Sequence, residues 1–324
     1  MLSPIVIGAL IQTGVVIILC VGFTFTYMTE KFPNFAHTAV ATIGTLVAYT
    51  MVRIYGFNPY YTWPVSTLLC GALGVGIYLL IVRPIRATGA REITLTFAFF
   101  ALAQVIGSIV SIYSYWFSQS QDAPATGFMF ISSDFTWEGY PGVLLVTLPV
   151  CAVLVVALYL FMTRAKHGIA LRAVAEDEPF ASSLGVNVPN IHLLSWFLTG
   201  AFAGLAGAII PLWRYTGLGY SDEFLILVMA GSVIGGLHNV MGAVIGGFIA
   251  AVMQKALGAL AIALFGIQAA GYESLYPMIF IVTILMIEPN GIMGIFENPH
   301  SPARALRSTY DRIRGFLSEV THAV

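Results

Sequence analysis

Hydrophobic residues run along this chain in long blocks separated by short polar interruptions, and the block length identifies the solvent. A bilayer core of about 30 Å is crossed by roughly 20 apolar residues in a helix. Nine stretches meet or approach that length: 5–28, 36–52, 65–82, 93–115, 142–163, 193–213, 222–237, 240–264 and 272–288. The second and seventh are the shortest. One internal segment breaks the rhythm. Thr163 to Leu194 carries Arg164, Lys166 and Arg172 and then three consecutive acids, Glu176, Asp177 and Glu178, between spans almost free of charge.

The local chemistry of that segment predicts a short helix with defined ends. Asp177 is a helix N-cap residue, Pro179 suits the first turn, and Gly185 stands where a left-handed terminating residue is wanted. Phe180 and Leu184 are then one turn apart on a common face. An apolar pair exposed on a polar segment is the usual mark of a partner surface.

Composition agrees with the pattern. Hydrophobic residues make up 58% of the 324 residues and charged residues 9%, with a mean hydropathy of +0.88, whereas soluble domains carry about 25% charged residues. The chain is expected to be an all-α, polytopic membrane bundle with about nine spans. It divides into a membrane-spanning domain over 1–296 and a cytoplasmic tail over 297–324. The first apolar run lacks a basic leader, since Lys31 is the first positive residue, and reads as a retained span rather than a signal peptide.

Basic residues set the orientation, because short positive loops stay in the cytoplasm. With the N-terminus outside, 11 of the 14 basic residues fall on the cytoplasmic side. These are Lys31, Arg83, Arg86, Arg91, Arg164, Lys166, Arg172, and Arg304, Arg307, Arg312 and Arg314 of the tail. Arg53 and Arg214 fall outside, and Lys255 lies within a span, where snorkelling to the outer interface is its expected role. The acidic segment at 164–192 is then cytoplasmic, and the longest outer loop is 116–141, with Asp122, Asp134 and Glu138 and no basic residue. That loop is either a plain connection or a docking surface for an extracytoplasmic partner.

Candidate chemistry is sparse. Cys20, Cys70 and Cys151 sit in apolar runs and read as small core residues; no metal-ligand spacing, cofactor motif, catalytic carboxylate pair or GxxxxGK[ST] phosphate loop is present. Any energy from nucleotide hydrolysis must enter through another subunit. Polar residues inside spans are expensive and mark functional candidates: Gln12, Asn34, His37, Gln104 and Lys255, of which Asn34, His37 and Gln104 are candidates for a solute path. Three GxxxG pairs, Gly200/Gly204, Gly231/Gly235 and Gly242/Gly246, predict close helix packing late in the chain.

Several blocks together resemble the integral membrane permeases of ATP-driven branched-chain amino acid importers, the LivH and LivM family, leaning to the LivH branch. They are NFAHTAVATIG (Asn34 to Gly44), RPIRATGAREITLTFAFFALAQ (Arg83 to Gln104), GIALRAVAEDEPFASSLGVN (Gly168 to Asn187), GGLHNVMGAVIGG (Gly235 to Gly247) and EPNGIMG (Glu288 to Gly294). The third is similar to the family's cytoplasmic coupling loop, which implies ATPase-coupling roles for Arg172, Glu176, Asp177, Glu178, Phe180, Leu184 and Gly185. Whether the three acids touch the ATPase or only set the cap is left open at this level. The resemblance further implies two ATPase subunits, a second permease and an extracytoplasmic solute-binding protein, acting by alternating access. Urea or short amides remain alternative solutes, and an ion-coupled carrier or channel is the alternative of a different class.

The orientation is directly testable. A cysteine introduced as Ser183→Cys is expected to react with membrane-impermeant maleimide only from the cytoplasmic side; labelling of intact cells from outside overturns it.

Overall fold

The computed structural model describes residues 3–121, 125–217, 220–287 and 291–297, and is helical almost throughout. Asp122, Glu288, Pro289, Asn290 and the four tail arginines lie outside the described residues. The helices are α1 (Pro4–Glu30), α2 (His37–Tyr55), α3 (Pro59–Ile77), α4 (Arg83–Ala87), α5 (Glu92–Gln121), α6 (Gly142–Arg164), α7 (Lys166–Glu176) and α8 (Glu178–Ser183). They continue as α9 (Val188–Ile209), α10 (Tyr220–Gly235), α11 (Val240–Phe265), α12 (Leu275–Ile287) and α13 (Gly291–Glu297).

Among the described residues, eight helical segments are long and apolar enough to cross a membrane, against the nine expected. The difference is α10, which falls where 222–237 was expected but has 16 residues, about 24 Å at 1.5 Å per residue. Two other boundaries also moved. α1 starts on a Ser3 cap with Pro4 in its first turn and runs to Glu30, two residues past the hydropathy limit, because that acid is buried rather than solvated. α3 begins at Pro59, where Asn58 accepts a hydrogen bond from the Tyr60 amide, and continues through a π-helical turn (Tyr78–Val82) into α4.

α9 is the axis of the bundle. Its side chains are buried over most of its length, and it packs against α1, α2 and α3. Glycine makes the approach possible. A Cβ on Gly200 would collide with the carbonyl oxygen of Cys70, one on Gly204 with that of Ser66, and one on Gly207 with that of Ala41. Hydroxyls exploit the short distances across the same seams. Thr199 donates to the Gly22 carbonyl at 3.1 Å, Ser195 to that of Phe25 at 3.1 Å, and Thr45 to that of Gly207 at 2.6 Å. Each such bond within a membrane is worth about 0.6 kcal/mol on average, so close packing rather than any single bond holds the seam.

The remaining glycine pairs meet one another. α10 and α11 form a hairpin whose turn at Gly236 to Asn239 includes Gly236 at φ 103°, and Asn239 caps α11 by accepting from the amides of Met241 and Gly242. Gly235 lies on the Gly242 carbonyl and Gly246 on the Gly231 carbonyl.

At the opposite end from α8, the loop after α5 is tied down. Gly127 and Phe128 pair antiparallel with Gly217 and Thr216, and buried Tyr49 packs its ring 4.1 Å from Phe128 and 5.3 Å from Phe117. Asp134 accepts the Tyr60 hydroxyl and, at 3.0 Å, the Val143 amide at the start of α6. Trp116 and Trp137 are both exposed.

The seam is expected to be intolerant of volume. Gly204→Val should destabilise the protein by about 1–3 kcal/mol or more, read as a lowered thermal midpoint by fluorescence-detected size exclusion. Gly76→Ala, where nothing lies within 4 Å of a new Cβ, should leave the midpoint unchanged or raise it by up to about 1 kcal/mol of stability.

Candidate functional site

The polar segment between α6 and α9 folds into two short helices meeting at Asp177. Its carboxylate accepts the Phe180 amide at 2.9 Å, which settles it as a capping residue, and Pro179 occupies the first turn of α8. Gly185, at φ 84°, ends the turn in the left-handed region where a side chain would be strained. Ala181 faces inward and is fully buried, while Phe180 and Leu184 point away at 62% and 68% exposure. Arg172 and Glu176 are exposed on α7. They line a cavity of about 620 Å³ with Lys31 and His238, between α7 and the α10–α11 turn.

Beneath α8 lies a network that no sequence spacing announced. Glu30, the last residue of α1, has a side-chain exposure of 0%, and an isolated buried carboxylate is untenable unless paired. One carboxylate oxygen, Oε2, meets Arg86 Nη2 of α4 at 2.8 Å. The other, Oε1, meets His192 Nδ1 at 2.7 Å and accepts from Trp196 Nε1 at 2.9 Å, both on α9. Arg86 also donates to the Glu30 backbone carbonyl at 3.0 Å.

Glu178, the first residue of α8, closes the circuit: its carboxylate lies 3.6 Å from His192 Nε2 and 3.8 Å from Arg86 Nη1. Of the three consecutive acids, then, Asp177 caps, Glu178 turns inward and Glu176 faces the cavity. The next residue along α1 adds a tether, as Lys31 donates to the Ala175 carbonyl of α7. Burial lowers the Lys31 ammonium below the ordinary lysine range, partly opposed by Glu92.

The signals for this network were present but silent. Glu30 is the first acid in the chain and adjoins its first base, His192 and Trp196 are spaced i, i+4, and Arg86 had counted only as a topological charge.

The solute-path candidates separate. Asn34 is buried and its Oδ1 accepts the Ala36 amide at 3.1 Å, fixing the start of α2; His37 is buried with Nε2 3.0 Å from the Leu19 carbonyl. Gln104 is different: it is exposed on α5 and lines a groove of about 480 Å³ with Thr38 and Thr42 of α2, Ser108 and Ser111 of α5, and Asp222 of α10. Gln12 is buried and donates to Gln254 at 2.8 Å, and Lys255 pairs with Glu273 instead of reaching outward alone.

Residues 5–287 match the family model described as the branched-chain amino acid transport system permease component. The chain is 33% identical to the probable branched-chain amino acid transport permease protein LivH of Methanocaldococcus jannaschii, over 89% of this chain and 91% of that one. It is 26% identical to the high-affinity branched-chain amino acid transport system permease protein BraD of Pseudomonas aeruginosa, over 86% of this chain and 91% of the other. Among solved structures, PsaBC from Streptococcus pneumoniae in complex with Fab aligns with a TM-score of 0.50 at 13% identity, covering 92% of this chain and 96% of that one, a likeness of fold alone. With a family model running across most of its length and a full-length relative at one-third identity, this chain belongs to the branched-chain amino acid transport permeases, multi-pass membrane proteins that carry transport rather than enzymatic catalysis.

Proposed function

We propose that this chain is the transmembrane permease subunit of an ATP-driven importer for branched-chain or related small amino acids, and that α8 is the element on which its ATPase acts. The single observation that carries this reading is the two-sidedness of α8: Phe180 and Leu184 face outward, uncovered, while Glu178 on the same helix is joined through Arg86 and His192 to Glu30. A displacement of α8 by a partner therefore pulls on α1, α4 and α9 together. Arg172 and Glu176 flank the exposed pair on α7 and would meet the same partner.

The working assembly is two ATPase subunits, this permease with a second one, and an extracytoplasmic binding protein that delivers the solute. ATP closes the ATPase pair, α8 moves with it, and the permease halves rock. The groove containing Gln104 is open along α5, so a second permease is needed to close it into a path; its hydroxyl and amide lining suits a polar solute.

Changing Phe180 and Leu184 together to Asp is expected to reduce co-purification of the ATPase subunit at least tenfold while membrane insertion is unchanged. Undiminished ATPase binding by the double variant rejects the docking role. Glu30→Gln is expected to separate docking from work: ATPase co-purifies at wild-type levels, but ATP-dependent uptake in proteoliposomes falls at least tenfold. Full uptake by that variant would show that the network only supports the fold.

A further inference from the structure

A second polar cavity, of about 400 Å³, opens at the end of the bundle away from α8. Its walls come from α1, the turn after α9, α10, α11 and the 3-10 segment Ile267–Tyr272 with the residues that follow it. Nothing in the coupling network or the α5 groove uses it. The volume lies in the lower part of the range of small-molecule sites, about 300–1,000 Å³.

Two features of the lining point to a ligand. Gln12 is 3% exposed, and its amide nitrogen is engaged by Gln254, which leaves its Oε1 buried with no hydrogen-bond partner. Trp213, on the same cavity, carries a buried Nε1–H that also has none. Unmatched buried polar atoms are rare because each forfeits its hydration. Here one acceptor and one donor are unmatched on a shared cavity, which is the complement of a molecule that donates at one end and accepts at the other.

The charges select further. Arg214 pairs with Glu223 at 2.9 Å and Lys255 with Glu273, so the walls hold two cations and two carboxylates. The Arg214 guanidinium is held 5.4 Å from the Phe224 ring and 5.9 Å from that of Trp213. Such a lining is neutral overall yet strongly dipolar. A monovalent ion meets as much repulsion as attraction, whereas a dipolar ion finds a partner for each end. Phe224 and Leu227 supply an apolar wall between the two charged pairs.

We propose that this cavity is a binding site for a free, zwitterionic amino acid with an apolar side chain. Its ammonium is accepted by Gln12 Oε1 and the neighbouring carboxylates, and its carboxylate by the Trp213 N–H and the two cations. The site names the solute class of the importer reading on which it rests. It also gives α10 a polar cavity on either side, since Asp222, adjacent to Glu223, lines the α5 groove.

The test is equilibrium binding of radiolabelled leucine to the full chain in lipid nanodiscs, which requires no ATPase. Saturable binding is expected, displaced by valine but not by leucinamide, which lacks the carboxylate, by N-acetylleucine, which lacks the ammonium, or by urea. Gln12→Leu should weaken it at least tenfold. Trp213→Phe, which removes the N–H donor together with the five-membered ring of the indole, should do the same, and a thermal midpoint unchanged from wild type shows that the loss is of the donor and not of packing. No leucine binding in a preparation that still holds its ATPase, displacement by urea, or affinity unchanged in both variants overturns the site. Leucine binding that survives while the Phe180/Leu184 double variant keeps its ATPase upholds the site and removes only the docking proposal.

Discussion

The structure depends on how a single carboxylate is kept at the end of a membrane helix. Glu30 has no access to water, so its charge is tolerable only while Arg86, His192 and Trp196 surround it. Those three side chains come from two elements far apart in sequence, and holding them within hydrogen-bonding range fixes where α1, α4 and α9 end relative to one another. Removing one partner of a fully buried pair typically costs about 3–5 kcal/mol; Arg86 is about one-third exposed, and water moderates its share. The arrangement is therefore stiff toward α9 and softer toward α4, the side on which Glu178 also contacts Arg86.

The glycine seams play a complementary part. Backbones that touch, as at Gly200 and Cys70 or Gly235 and Gly242, resist compression and leave few side-chain rotamers to adjust. Motion is then transmitted through whole helices rather than absorbed locally. Under the proposed coupling, a rigid bundle centred on α9 and gripped at one end through a charge network would act as a lever. The tied-down loop around Tyr49, Phe128 and Asp134 gives that lever a fixed far end.

Much of this was legible from residue order, and the omissions share one cause. The apolar blocks located the helices, Asp177, Pro179 and Gly185 announced α8, and the three GxxxG pairs fell on contact surfaces, because each of these is a local pattern. The first apolar block closes at 28, short of Glu30, since hydropathy treats an acid as outside the span and cannot see the arginine that arrives from position 86. Lys255 was likewise read alone, its partner Glu273 lying beyond the end of its own helix. Asn34 and His37 are path candidates on polarity alone; the folded chain adds what polarity does not show, the Ala36 amide on Asn34 Oδ1 and the Leu19 carbonyl beside His37 Nε2. Juxtaposition, not residue type, was the missing quantity.

α3 joins α4 through the π-helical turn at Tyr78 to Val82, where the Arg83 amide reaches back to the Tyr78 carbonyl. A π turn is an α-helix with one residue too many, and it resets the angular phase of everything that follows. Here it brings the Tyr78 ring parallel to His192, 5.7 Å between centroids and 6° between planes, and delivers Arg86 to Glu30. A helix with one residue fewer would carry the same side chains but aim Arg86 about 100° away. The chain's spare residue is thus a phase setting, by which the count of amino acids between Gly74 and Arg86 determines whether the buried carboxylate finds its cation.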